Sequence, residues 1–169
     1  MLPTESDRLA TRPDTSRDRS RLVAIAALTT ILAGLHFADH VLRGKNVRTL
    51  DLDRHWDHSG WPFTSSFTPF SASLIAVVMI LLGGIALTIR GKLWAGYWLL
   101  AAILLLALVV QVHLVPGAQQ ESPSVIYRSW VGNPLLGVLA VTNTVAILGS
   151  LVVMAINAYR IGRRSGRWR

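Results

Sequence analysis

The sequence predicts an all-α membrane protein: an up-down bundle of four transmembrane helices with both termini cytoplasmic. Three observations carry this expectation. The chain has 169 residues, 51% of them hydrophobic and only 15% charged, with a mean hydropathy of +0.44. Soluble domains carry about a quarter charged residues, so the composition points to the membrane class. Four apolar runs are each close to the roughly 20 residues a helix needs to span a bilayer. Finally, arginine is concentrated at the two chain ends, next to apolar helices, as the positive-inside bias requires.

Taken in order, residues 1–20 are rich in Arg, Asp, Ser and Thr and hold Pro3 and Pro13. They have no apolar periodicity and are expected to form a disordered cytoplasmic tail. The basic start before an apolar run resembles a signal peptide in outline. Its basic region is too long, however, and no small-x-small cleavage site closes the run, so retention is expected. The transmembrane domain is then 21–159. Helix 1 covers about 22–42; its strongly apolar part, Leu22 to Leu35, is short and a polar stripe completes it. Helix 2 covers about 70–89 and helix 3 about 93–115, stopped by Pro116-Gly117. Only Arg90-Gly91-Lys92 joins them, so a tight antiparallel hairpin is expected. Helix 4 covers about 134–159, opened by Pro134 after Asn133. The outer loops are 43–69 and 116–133, and 160–169 is a basic cytoplasmic tail.

With the N-terminus inside, twelve of the seventeen Lys and Arg residues lie inside and five outside. The expected location is the cell membrane, multi-pass. The partners expected are the bilayer, anionic headgroups at the basic tails and a membrane-protein partner, with no nucleic acid. There is no cysteine, which excludes disulfides, thiolate metal sites and cysteine nucleophiles. No nucleotide loop, G-x-S-x-G or internal repeat is present. No buried Asp, Glu or Lys continues from the histidines towards the cytoplasm, which argues against an ion path across the membrane.

The residues able to carry chemistry gather on one side. His36, Asp39, His40 and Arg43 fall at i, i+3, i+4 and i+7 and form one helical stripe. The predicted topology puts His55 and His58 in the first outer loop and His113 at the outer end of helix 3, so all five histidines share one rim. Imidazole and carboxylate suit a transition metal ion such as Zn, Cu or Fe. The stripe lacks the Glu of H-E-x-x-H, so a protease is not inferred. Helices 1 and 3 run the same way and sit diagonally in an up-down bundle, so His36 or His40 can face His113 across the core, as ligands of haem b do. The candidate first shell is His36, Asp39, His40 and His113. Candidates for a second shell or lid are Arg43, His55, Asp57, His58, Trp61, Gln111 and Asn143.

The reading is a small membrane protein with an extracytoplasmic His/Asp pocket that binds a metal or haem, as an accessory subunit. Two alternatives stand beside it. The polar rim is only a hydrogen-bonded structural cap, or the protein is an enzyme on a lipid or quinone using His/Asp acid-base chemistry. No catalytic constellation is recognisable, and enzyme activity is the less favoured reading.

Overall fold

The computed structural model describes residues 15–49, 69–92, 95–115 and 121–165; the side chains at 15, 43–49 and 69–71 are outside that description. Five helices account for it: α1 (Thr15–Thr49), α2 (Pro69–Ile89), α3 (Ala95–His113), α4 (Pro123–Arg128) and α5 (Pro134–Arg164). There are no strands among the described residues. All but the short α4 are long and apolar enough to cross a membrane. Large apolar side chains such as Met79 (68% exposed), Leu104 and Leu139 face outwards. A surface this apolar needs hydrocarbon, not water, around it.

The packing order follows the chain. α5 lies along both α1 and α3, and α1 lies along α2. α1 and α3 are therefore diagonal. Asp18 accepts from Arg164 at 3.2 Å, and Arg19 lies against Gly91 of the α2–α3 turn. The beginning of α1, that turn and the end of α5 thus share one end of the bundle, the tail end. His36, His40 and His113 lie towards the other, the histidine end.

Two features differ from the sequence expectation, the helix ends and one loop. α1 begins at Thr15, inside the segment expected to be disordered, and continues to Thr49, past the expected stop at 42. At 35 residues it is about 52 Å long, against a hydrocarbon core of about 30 Å. Once Pro13 is passed, nothing in Thr15–Arg21 breaks a helix. Asp18 in the first turn complements the positive end of the helix dipole. α5 likewise runs to Arg164, beyond 159, with Ser165 as its C-cap. The second difference is α4, a helical turn within the expected loop 116–133. Ser122 caps it by accepting from Val125 N, and Pro123 opens it.

The α2–α3 hairpin also differs from the tight pairing expected. These two helices have the slightest contact of any neighbouring pair of spans, and the bonds between them gather near the turn. Trp98, fully buried, donates from Nε1 to Thr88 Oγ1 at 2.9 Å, and Tyr97 donates to the Ile80 carbonyl at 2.6 Å. Gly84 makes this possible, since a Cβ there would lie 2.6 Å from the Tyr97 ring and 2.7 Å from the Trp98 ring. The close-packed core, with Ala26, Leu81, Trp98, Leu151 and Met154, fills this region. Lipid tails are as apolar as Leu, so dispersion contacts and interhelical hydrogen bonds hold it, more than expulsion of water.

Gly84→Ala should therefore destabilise the protein by about 1–3 kcal/mol, because the indole is boxed in and the helices must part. Reversible unfolding in detergent checks this. Wild-type stability would show that the two helices do not approach at Gly84.

Candidate functional site

The stripe on α1 arises from helical spacing. His36 and His40 stand one turn apart, and Asp39 shares their face. His40 and Asp39 are buried, at 3% and 8% exposure. The Nε2 atoms of His36 and His40 are 3.0 Å apart. A contact this close needs one nitrogen protonated and the other bare. The accepting ring is then neutral, and the pair carries at most one positive charge.

α3 brings His113 to the same place from across the bundle. The His36 ring meets the His40 ring edge-on at 4.5 Å between centroids and the His113 ring at 5.0 Å. His113 is fixed by Glu121: its Nδ1 approaches the Glu121 main-chain carbonyl at 2.5 Å. A carbonyl only accepts, so Nδ1 carries the hydrogen. The Glu121 side chain turns to His40, with Oε2 at 3.6 Å from Nε2, an ion pair whenever His40 is protonated. Glu121 is 1% exposed. Asp39 accepts from Trp130 Nε1 at 2.8 Å. Gly137 lets α4 settle on α5, since a Cβ there would lie 2.9 Å from the Tyr127 carbonyl.

Below these groups is a cavity of about 130 Å³. Four elements build it: α1 (Thr29, Ala33, His36, Phe37, His40), α2 (Ser73, Leu74, Val77, Leu81), α3 (Leu105, Leu108, Val109, Val112, His113) and α5 (Ile147, Leu151). Leu81, Leu105, Ile147 and Leu151 also belong to the close-packed core, which forms its floor. The walls are almost wholly aliphatic, and the imidazoles form the polar end.

The structure therefore unites His36, Asp39, His40 and His113 in one region. Asn143 donates to the Leu32 carbonyl of α1 at 3.1 Å, an interhelical bond. Gln111 is exposed, on another face of α3 from His113. The Arg43 side chain and His55, Asp57, His58 and Trp61 lie outside the described residues. Sequence reasoning missed Glu121 and Trp130 as members of the site. The Ser122-Pro123 helix start was the available signal, because it predicts an ordered turn beside Glu121.

Among the described residues no group of three His, Asp or Glu side chains is arranged to hold a metal ion. The edge-on contact of His36 with His113 leaves no gap for a porphyrin between those rings. Comparisons with protein-family models, with curated proteins and with solved structures give no match. Four apolar helices identify a multi-pass membrane protein, and its function is read from its own residues.

If Trp130 tethers the α4–α5 connection to α1 through Asp39, Trp130→Phe and Asp39→Leu are coupled. A double-mutant cycle on unfolding should give about 0.6–1.7 kcal/mol, as for polar contacts between membrane helices. Simple additivity would mean that the bond contributes nothing to docking.

Proposed function

We propose that this protein binds a small, largely apolar ligand in the histidine-end half of its bundle, with the ligand's hydrogen-bonding group against His36, His40 and His113. The single observation behind this is an aliphatic cavity that ends on three imidazoles. Ligand pockets have this makeup, apolar walls with a few convergent polar groups. The size is apt: an engineered apolar cavity of roughly 150 Å³ takes up benzene. A volume of about 130 Å³ suits one small ring or a stretch of alkyl chain. A structural cap accounts for the hydrogen bonds at the rim but not for the hollow beneath it. Among the described residues the metal and haem readings lack the donor geometry and the space. The tail end, with Arg17, Arg19, Arg21, Arg160, Arg163 and Arg164, is read as the cytoplasmic face in contact with anionic headgroups.

A 4-hexylphenol with a diazirine in its chain tests the pocket in detergent-solubilised protein. Labelling should fall on Leu105, Val109 or Leu151 and be suppressed by excess unlabelled 4-hexylphenol. Labels confined to the outward-facing Met79 and Leu104 would rule the pocket out. Orientation has its own test, because the chain has no cysteine. In intact cells Ser16→Cys should resist an impermeant maleimide and Ser124→Cys should react; the reverse pattern would invert the topology.

A further inference from the structure

We infer that the occupant is a single unbranched hydrocarbon chain, of about eight to ten carbons within the cavity, lying lengthwise along the bundle with its polar end at the imidazoles. This rests on the ligand reading above and narrows it by shape.

The shape follows from where the walls stand on each helix. The α2 wall runs from Ser73 to Leu81 and the α3 wall from Leu105 to His113. Each is about 12 Å long at the helical rise. The α1 wall, from Thr29 to His40, is about 16 Å long. On each helix the lining positions recur at helical spacing, as Thr29, Ala33, His36 and His40 do on α1. They therefore form parallel stripes, and the hollow between them is drawn out along the bundle axis. A compact hollow of about 130 Å³ would be only about 6 Å across and would take one ring. Over twice that length the same volume is slim. A zigzag chain advances about 1.25 Å per carbon, so about eight to ten carbons with a small head fill about 12 Å. Two chains abreast or a fused ring system do not fit such a section.

The two ends differ in what they ask of the occupant. At the histidine end stand the three imidazoles and Ser73. At the floor stand Leu81, Leu105 and Leu151, with Thr29 as the hydroxyl. That hydroxyl is already used: Thr29 Oγ1 donates to the Ile25 carbonyl at 2.9 Å and lies 3.1 Å from Ser150 Oγ. A polar group brought down beside it would lose its hydration and gain no donor. The deep end therefore suits a terminal methyl group. Between the ends the described walls are aliphatic, and Phe37 carries the one aromatic ring among them besides the imidazoles. Aliphatic walls offer no flat face for a ring to stack on, whereas they pack readily against a flexible chain.

The test is displacement of the 4-hexylphenol label by a series of 1-alkanols, in wild-type protein solubilised in digitonin, which has no alkyl chain. Per free concentration in water, potency should rise about fourfold with each added methylene and stop rising at about nine carbons. A 1-decanol with its diazirine at carbon 3 should label Leu74 or Val112, and one with it at carbon 9 should label Leu81, Leu105 or Leu151. Ala33→Leu puts bulk partway down the α1 stripe, so it should weaken 1-decanol about tenfold and leave 1-butanol unchanged. Displacement by didecanoylphosphatidylcholine equal to that by 1-decanol assigns the chain to a bilayer lipid, and displacement by 1-decanol alone assigns it to a free amphiphile; both support one chain in the cavity. Cyclohexanol as potent as 1-decanol, or potency that levels off at four carbons, overturns the lengthwise chain and leaves the pocket intact. The two diazirines labelling the same residues, or undiminished 1-decanol in Ala33→Leu, overturns it as well. A wild-type protein with no label on the cavity walls overturns the pocket itself, and this inference with it.

Discussion

A polar group inside an apolar bundle has to find its partner within the protein, because lipid offers none. That constraint shapes the histidine end, and Glu121 meets much of it. Its carbonyl takes the His113 N–H from α3, and its carboxylate faces His40 from α1. One residue in the α3–α4 connection thereby ties two diagonal helices that otherwise have little contact with each other. α4 follows it directly, capped by Ser122, and rests on α5 where Gly137 allows close approach. α4 is thus seated directly after a residue that satisfies two buried imidazoles.

The tail end obeys a different rule. There the helices meet through Trp98, which fills the space beside Gly84 and Thr88; further along, where the cavity begins, Thr29 Oγ1 lies 3.1 Å from Ser150 Oγ. Short side chains bring backbones together, and one large ring fills what is left. Towards the histidine end the facing positions on α2 and α3 are Ser73, Val77, Leu108 and Val112, with no aromatic ring among them. Tight packing at one end and medium-sized side chains at the other leave a hollow between. The same contrast that stabilises the turn creates the cavity.

Much of this was legible in the chain. The four spans, the up-down order with α1 and α3 diagonal, and the His36-x-x-Asp39-His40 stripe all follow from hydropathy and helical period. The juxtaposition of His36 with His113 followed from running two parallel helices to the same depth. The beginning of α1 lies in polar, arginine-rich sequence that reads as a disordered tail, and the end of α5 in sequence that reads as a basic tail. Pairing of Asp18 with Arg164 gives these ends a tertiary reason to stay helical, and local composition does not contain it. Glu121 was visible only as one more acidic residue in a loop. Its role depends on two imidazoles that lie 8 and 81 residues away in the chain and come to it only when the bundle closes.

The sequence by itself determined that this is a helical membrane protein, and it grouped the imidazoles at one end of the bundle. These are properties of hydropathy, periodicity and residue count, which need no partner to be read. The tertiary structure decided which carboxylate faces which imidazole, that α2 and α3 meet near their turn with little contact beyond it, and that a cavity lies beneath the polar end. These depend on the distances between side chains of different helices. A one-residue rotation of any helix would change them while leaving every sequence pattern intact.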